Sequence, residues 1–399
     1  MSERPLLMIP GPIELSPGVQ RALELVPGSH VAPSLIEDFG SALEKMREVW
    51  LAPPSSQPFV VSGGGTIAME MSVVNLVEPG DLVLVVWTGY FSDRMAEMLR
   101  RRGAKVVVVG SQAGSVPSIH ELRAQLQLGQ FQALFATHVD TSTGVRLDVE
   151  AVCGLACQFG VLTVFDGVCA TAAERFEMGR WQADVYLTAS QKAIGLPAGL
   201  GLMVVSERAM QRRDQLAVLP PMSLDWKHWV PVMQAYESRH GAYFSTPATG
   251  LIPALSVSLM ELLGHADRPS GSMEVVFEHH ARTAASLQVV WRHFRLEMVP
   301  DALEHTASTL SALRYPEGVG PELLAEVRRR GVIIAGGLFP GLQKKTFRVG
   351  HMGYTATQIT HLTRVVSAIG DALCALGHPV DVGGGLELLE THMARGNGP

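Results

Sequence analysis

Short apolar runs alternate with amphipathic stretches along the first two thirds of the chain. Seven runs rich in β-branched residues have the length of strands: FVVSG (59–63), LVLVVW (82–87), KVVVV (105–109), ALFATHV (133–139), VLTVFD (161–166), DVYLTA (184–189) and GLMVVS (201–206). Helical periodicity separates several of them, over 66–76, 93–102, 118–126 and 149–159. Continuous apolar strands joined by helices are typical of a parallel sheet covered on both faces. The pattern predicts an α/β fold with a mostly parallel, seven-stranded sheet.

The pattern changes after Pro247. Long helical stretches are followed by a compact segment that mixes strands with helices; the helices are expected at 253–263, 273–294, 322–330 and 355–376, and the strands at 306–315, 331–336 and 346–350. We predict that this part forms a second, smaller α/β domain. The large domain is predicted to span 16–260, and the small domain to combine 1–15 with 261–399.

Composition and charge exclude several classes of protein. The chain has 399 residues, is 47% hydrophobic and carries a formal net charge of −6, with its basic residues spread rather than clustered. This charge distribution does not favour nucleic-acid binding. No stretch approaches the ~20 apolar residues that cross a bilayer, and the N-terminus has no apolar core of signal-peptide length. We therefore expect a cytoplasmic protein that binds neither nucleic acid nor membranes, and the absence of clustered ligand spacing predicts no metal site.

A glycine-rich turn lies between a predicted strand and a predicted helix. Its residues are Gly63, Gly64, Gly65 and Thr66. The free N–H groups and the dipole of such a helix N-terminus favour an anion. The letters GGGTIA also fit a dinucleotide fingerprint, but the next strand ends without the carboxylate that NAD binding requires, and the lysine of a P-loop is absent. Three alternatives stay open for this turn: a structural turn without a ligand, a binding site for the phosphate of a cofactor, and, less favoured, a binding site for NAD.

Two ionisable residues follow neighbouring predicted strands. Asp166 ends the run at 161–166, and Lys192 comes just after the run at 184–189. Because the carboxyl ends of parallel strands meet at one edge of a sheet, both side chains should face the same crevice. Taken singly, Asp166 could pair with an arginine or cap a helix, and Lys192 could be a surface amine. Together with a phosphate cradle they favour pyridoxal phosphate, whose protonated ring nitrogen needs a carboxylate and whose carbonyl carbon reacts with a desolvated amine.

Arg348 stands in the middle of the predicted strand TFRVG, with apolar neighbours on both sides. A guanidinium in that position should meet a carboxylate in a bidentate pair. That carboxylate could belong to the protein or to a substrate. The residue pattern leaves both alternatives open.

Nine segments together resemble the class V aminotransferases of the pyridoxal phosphate fold type I group, most of all the fungal-type branch of the alanine–glyoxylate and serine–pyruvate aminotransferases. They are IPGP (9–12), SGGGT (62–66), WTGYFSDR (87–94), THVDTSTGV (137–145), FDGVCA (165–170), DVYLTASQKAIGLPAGL (184–200), GAYFSTPAT (241–249), GVIIAGG (331–337) and FRVGHMG (347–353). The resemblance implies the fold type I architecture, pyridoxal 5′-phosphate as cofactor and a homodimer whose neighbouring subunits complete each other's sites. It further implies ping-pong transamination through Schiff bases, from alanine or serine to glyoxylate, giving glycine and pyruvate or hydroxypyruvate.

The resemblance also implies a role for each matching residue. Lys192 would bind the cofactor covalently and then act as general acid and base, and Asp166 would pair with the ring nitrogen. Arg348 would bind the substrate carboxylate beside the turn at Gly11. The remaining cofactor contacts would be stacking by Phe91, a hydrogen bond from Thr141 to the phenolic oxygen, and phosphate binding by Gly64, Gly65, Thr66, Gln191 and, from the other subunit, Tyr243 and Thr246.

One departure and several alternatives accompany this assignment. Relatives often carry Ser or Thr at the position of Gly64, so one hydroxyl for the phosphate is missing here. Serine–pyruvate, pyridoxamine–pyruvate and aminoethylphosphonate transamination are alternatives within the wider group. Cysteine desulfurase is less favoured, because Cys374 lies in a helical pattern rather than on a loop. A non-catalytic scaffold would be expected to lack Lys192 or Arg348, and both are present.

Overall fold

The structure is a computed structural model that describes residues 4–26, 28–110, 112–264 and 272–394. Its α-helices, in chain order, are α1 (Pro17–Leu23), α2 (Pro33–Val49), α3 (Gly65–Leu76), α4 (Tyr90–Arg101), α5 (Ile119–Leu126), α6 (Val149–Phe159), α7 (Met178–Trp181), α8 (Glu207–Asp214), α9 (Trp226–Glu237), α10 (Ile252–Leu263), α11 (Met273–His293), α12 (Glu322–Arg329), α13 (Tyr354–Thr357), α14 (Ile359–Ala375) and α15 (Val382–Ala394). Local capping signals set several ends; α5, for example, begins with a capping box between Ser118 and Glu121. No described helix is both long and apolar enough to cross a membrane.

The strands, again in chain order, are β1 (Leu6–Leu7), β2 (Gln57–Ser62), β3 (Leu82–Val86), β4 (Lys105–Val109), β5 (Ala133–Thr137), β6 (Val139–Asp140), β7 (Val145–Arg146), β8 (Leu162–Asp166), β9 (Val185–Ala189), β10 (Leu200–Val205), β11 (Leu310–Arg314), β12 (Val332–Ile333), β13 (Ala335–Gly336) and β14 (Thr346–Gly350). The predicted strand at 306–315 is shorter than expected. The run at 331–336 divides in two, because β12 pairs with β1 whereas β13 pairs with β14.

The central sheet has seven strands in the order β2-β10-β9-β8-β5-β3-β4. Each of the seven apolar runs forms one of these strands, and every position of β5, β8, β9 and β10 is buried, which explains their continuous apolar sequence. All pairs are parallel except those of β10, which runs antiparallel to both β2 and β9. The predicted α/β fold with a mostly parallel seven-stranded sheet is therefore confirmed.

Apolar side chains form two clusters. The larger surrounds the central sheet and includes Phe59, Leu84 and Phe165. The smaller packs Leu6 and Met8 against α11, α14 and the three-stranded sheet β11-β14-β13. The N-terminal segment thus packs with the C-terminal part of the chain. The domain bounds at 16–260, and at 1–15 with 261–399, stay a prediction, and parts of these ranges lie outside the described residues.

Candidate functional site

Lys192 lies in a tight loop between β9 and β10. Ser190 begins this loop; its carbonyl accepts a hydrogen bond from the Leu196 N–H at 2.9 Å, and its hydroxyl accepts one from the Leu200 N–H at 3.2 Å. The connection can be this short because β10 runs antiparallel to β9. The side chain of Lys192 is 9% exposed, and burial lowers the pKa of its amine below the usual range. Burial therefore favours the neutral amine, the form that attacks a carbonyl carbon.

Asp166 is the last residue of β8, in register with Leu187 of β9. Its carboxylate is 2% exposed, and Oδ1 accepts a hydrogen bond of 2.9 Å from the Val168 N–H. Burial raises the pKa of Asp166 to about 6; the charge of Asp140 also raises it, and that of Lys192 lowers it. No lysine or arginine of the described ranges forms an ion pair with this carboxylate. A buried carboxylate without a cationic partner favours binding of a ligand that carries a positive charge or a hydrogen-bond donor.

The raised pKa of Asp166 has a consequence for stability in the cofactor-free protein. Because the folded pKa of about 6 exceeds the unfolded value of about 3.9, the favourable contribution is complete below pH ~4 and is lost as the pH rises through about 6. Asp166→Asn should therefore raise the free energy of unfolding at pH 8 by about 2–3 kcal/mol and change little below pH ~4. Denaturant unfolding of both cofactor-free proteins at the two pH values measures this. A less stable Asn variant at pH 8 would contradict the burial argument.

The glycine-rich turn forms the N-terminus of α3. Gly64 is the N-cap, and no described group accepts a hydrogen bond from the N–H of Gly64, Gly65 or Thr66. A Cβ on Gly65 would lie 2.6 Å from Cγ2 of Val168, two residues after Asp166, so only glycine fits there. A Cβ on Gly64 would meet nothing within 4 Å. The turn thus presents unbonded N–H groups and open space close to the end of β8.

Asp140 holds the N-terminus of α4, which carries Phe91. Oδ2 of Asp140 accepts from the Phe91 N–H at 3.0 Å, and Oδ1 accepts from the Ser142 N–H at 3.0 Å and the Ser142 hydroxyl at 2.6 Å. The Ser142 hydroxyl in turn accepts from the Tyr90 N–H at 3.1 Å. A Cβ on Gly89 would lie 2.6 Å from Cγ of Asp140, so glycine allows this close approach. These contacts fix the start of the helix and with it the position of Phe91.

Arg348 lies in β14 and contacts the turn of the β6–β7 hairpin. Its Nε donates to the Gly336 carbonyl at 2.9 Å, and one Nη donates to the Thr141 carbonyl at 3.2 Å. Burial lowers its pKa, and within the described part of the chain no carboxylate forms an ion pair with it. The Thr141 hydroxyl is likewise without a hydrogen-bond partner among these residues. Two of the five N–H groups are therefore used to orient the guanidinium, and the others are available to a carboxylate.

The N-terminal segment passes between Lys192 and β14. The amine of Lys192 donates to the Pro10 carbonyl, and the Gly350 N–H donates to the Met8 carbonyl at 2.8 Å. Gly11 has a φ of +91°, and a Cβ there would lie 2.5 Å from Cδ of Lys192. The structure therefore brings Gly11, Lys192 and the strand of Arg348 together.

Tyr243 and Thr246 lie apart from this group within one chain. Tyr243 is 66% exposed, and its ring packs on His30 with 5.4 Å between centroids. Thr246 is also exposed. Neither forms a hydrogen bond or a ring contact with any other predicted site residue described in the same chain.

Two residues near the site were not assigned a role from the sequence: Asp140 and Arg94. Both lie within segments that carry the family resemblance, THVDTSTGV and WTGYFSDR. An aspartate directly after an apolar strand was the available signal for Asp140. Arg94 had no local signal, because an arginine in the first turns of an amphipathic helix is usually solvated.

These groups fit pyridoxal phosphate. The buried amine of Lys192 matches its carbonyl carbon, and the Asp166 carboxylate can accept a hydrogen bond from its protonated ring nitrogen. The turn of unbonded N–H groups matches its phosphate. Oε1 of Gln191, next to Lys192, is buried without a hydrogen-bond partner, as expected of a side chain that lines a ligand site. A metal ion has no such match, since no group of three or more His, Cys, Asp or Glu that could bind one occurs in the residues described.

Comparison with known proteins gives the same picture. A family model described as "Aminotransferase class-V" matches residues 28–223. Alanine–glyoxylate aminotransferase 1 of Saccharomyces cerevisiae is 34% identical in sequence, over 88% of this chain and 92% of the yeast protein. L-aspartate–glyoxylate aminotransferase of Paracoccus denitrificans is 29% identical, over 98% of this chain and 97% of the Paracoccus protein. The crystal structure of an alanine–glyoxylate aminotransferase from Nostoc sp. is similar with a TM-score of 0.84, at 27% identity, and covers 94% of this chain and 96% of that one.

Proposed function

This chain belongs to the class V aminotransferases, which use pyridoxal phosphate, and we propose that it transfers the amino group of alanine or serine to glyoxylate. Alanine then gives pyruvate, serine gives hydroxypyruvate, and glyoxylate becomes glycine. The proposed role is therefore glycine biosynthesis, and the proposed compartment is the cytoplasm. The yeast and Nostoc relatives support alanine as donor and glyoxylate as acceptor.

The observation that carries the proposal is a set of three ionisable side chains, largely or fully buried, that form no ion pair among the described residues: Lys192, Asp166 and Arg348. Lys192 and Asp166 each shift the pKa of the other, and the charge of Arg348 acts on Lys192 as well. A 2-amino acid needs a carboxylate-binding cation at a fixed distance from the group that removes its Cα proton. Arg348 and Lys192 supply that pair, and one guanidinium at this position suits a substrate with one carboxylate.

When bound, pyridoxal phosphate supplies a ring that accepts electrons from the substrate Cα. The Asp166 carboxylate would accept a hydrogen bond from the protonated ring nitrogen and so keep that nitrogen positively charged. Phe91 would pack on the ring face, and the Thr141 hydroxyl would donate to the phenolic oxygen. The N–H groups of the α3 N-terminus would bind the phosphate, together with the side chains of Thr66 and Gln191.

Lys192 then acts at two atoms. Its Nζ would hold the cofactor at the carbonyl carbon, and the amine, once free, would move the proton from the substrate Cα to that cofactor carbon. Burial lowers the pKa of the amine, which favours the neutral form that can accept that proton. Arg348 fixes the substrate carboxylate, and the turn at Gly11 closes the space beside it.

A homodimer is part of this proposal. Tyr243 and Thr246 contact none of the other predicted site residues in the described part of their own chain, and they would complete the phosphate site of the neighbour. Large apolar side chains are exposed at Leu25, Val26 and Val31, which are close together in the chain, and Val31 lies beside Gly241 of the Tyr243 segment. Exposed apolar residues in one segment favour a protein–protein interface.

A panel of amino donors tests the activity. Enzyme loaded with cofactor and mixed with alanine or serine, without acceptor, should release about one equivalent of 2-oxo acid per site, and glyoxylate should then yield glycine. A pocket separates a methyl from a hydroxymethyl group by only ~1–3 kcal/mol, so both donors should react at rates that differ by about 10–200-fold at most.

The same panel includes aspartate, glutamate, cysteine and pyridoxamine. Reaction with aspartate or glutamate but neither alanine nor serine would contradict the proposed donor class. Release of sulfide from cysteine would instead identify a desulfurase, and turnover of pyridoxamine with pyruvate would identify that alternative.

A further inference from the structure

Arg94 lies on α4 with its guanidinium directed at the N-terminus of α3. One Nη donates to the Thr66 hydroxyl oxygen at 3.1 Å, and the other donates to the Tyr90 hydroxyl at 3.3 Å. Its Cζ lies 5.0 Å from the centroid of Phe91 and 5.2 Å from that of Tyr90. Four contacts thus hold the charged group between the predicted stacking residue and the predicted phosphate site.

This guanidinium has no carboxylate partner in the described residues. Its neighbour Asp93 accepts a hydrogen bond from the Trp87 indole at 2.8 Å instead. Two turns later on the same helix, Arg101 pairs with Glu97 at 2.8 Å. A half-buried guanidinium that is oriented by neutral groups is well suited to bind an anion, since planar N–H donors match phosphate oxygens.

The turn of the predicted phosphate site has no side chain at Gly64, two residues before Thr66. Gly64 offers no hydroxyl, and the space that a Cβ would occupy there is open to 4 Å. Thr66 is the side-chain donor of the turn, and its oxygen already accepts from Arg94. The Thr66 hydroxyl hydrogen is therefore free to point away from Arg94 and into the turn.

We propose that Arg94 positions Thr66 and supplies positive charge for the phosphate group of the cofactor, in place of the hydroxyl that is missing at Gly64. The inference rests on the proposed function, because it concerns how this chain binds pyridoxal phosphate. Arg94 donates to the Thr66 oxygen, and Thr66 donates to a phosphate oxygen. The positive charge of Arg94 would also attract the phosphate dianion.

The test compares a cofactor with and without its phosphate. Dissociation constants of the cofactor-free protein for pyridoxal phosphate and for pyridoxal are measured by equilibrium dialysis. Arg94→Gln should weaken pyridoxal phosphate by about 30-fold and pyridoxal by less than about threefold. Arg94→Lys keeps the charge and should recover part of the loss. Arg101→Gln removes a paired, exposed arginine of the same helix and should leave both constants unchanged.

A double-mutant cycle tests the path through Thr66. If Arg94 acts by orienting this hydroxyl, the losses from Arg94→Gln and Thr66→Ala should be less than additive in the double variant. Additive losses would overturn the positioning role.

The remaining outcomes are separable. Equal weakening of pyridoxal and pyridoxal phosphate in Arg94→Gln, or no weakening of either, would overturn the inference and leave the proposed function intact. Failure of the unmodified protein to bind pyridoxal phosphate would contradict the proposed function itself. Circular dichroism of Arg94→Lys and Arg94→Gln verifies that both variants are folded.

Discussion

Lys192→Ala is expected to lower kcat for alanine–glyoxylate transamination by about 10⁴-fold. The substitution removes the amine that binds the cofactor and moves the Cα proton, and proton transfer by a positioned side chain contributes on the order of 10²–10⁴-fold by itself. Steady-state kinetics with saturating cofactor measures the loss. The variant should still bind pyridoxal phosphate without a covalent bond, because Asp166, Phe91 and the α3 turn are unchanged.

A matched lysine provides the control for this result. Lys227 is half exposed and pairs with Asp214 at 2.8 Å, so Lys227→Ala should keep full activity. Borohydride reduction followed by peptide mass analysis should find the cofactor on Lys192 in the parent protein. A reduced cofactor on another lysine in Lys192→Ala, with activity retained, would show that the assignment is wrong.

Arg348→Ala is expected to lower kcat/KM for both amino and 2-oxo acids by about 100-fold. A charged hydrogen-bonded pair with a carboxylate contributes about 1.5–3 kcal/mol, and most of it is lost when the guanidinium is removed. The dissociation constant of pyridoxal phosphate should change little, since the contacts of Arg348 are to the Gly336 and Thr141 carbonyls and not to the α3 turn.

Two further variants sharpen this prediction. Arg348→Lys keeps a charge but not the planar pair of donors, so its loss should be smaller than that of Arg348→Ala. Arg314→Ala, on the neighbouring strand β11, should not change kcat/KM. If Arg348→Ala instead lowers thermal stability and leaves kcat/KM unaltered, the arginine only ties β14 to the hairpin turn.

The early part of the fold was the most predictable from sequence. Each of the strands from β2 to β10 in the central sheet coincides with an apolar run, because strands buried on both faces favour apolar residues along their length. The edge strand β4 is apolar but only partly buried. The ends of β8 and β9 placed Asp166 and Lys192 at one edge by the same reasoning. The run at 331–336 was harder, because its letters do not show that it pairs with two different sheets.

The site divides in the same way. Gly64, Gly65 and Thr66 could be found because a helix N-terminus after a strand is a local pattern. The sequence could not decide whether Arg348 pairs with a carboxylate of the protein or of a substrate. The groups that surround its guanidinium are distant in the chain; Thr141, whose carbonyl it contacts, is 207 residues away. Arg94 depends on a contact between two helices, and periodicity within one helix does not report it.

The sequence by itself determined where strands and helices lie, that a glycine-rich turn opens α3, and that an aspartate and a lysine follow neighbouring strands. These features depend on residues close together in the chain, whose burial and backbone preferences set the local pattern. Only the tertiary structure decided that β10 is antiparallel, that the N-terminal segment packs beside Lys192, and that Arg348 and Arg94 have no carboxylate partner among the described residues. Those features depend on which distant groups meet in space, and hydrogen-bond and charge pairing is settled only there.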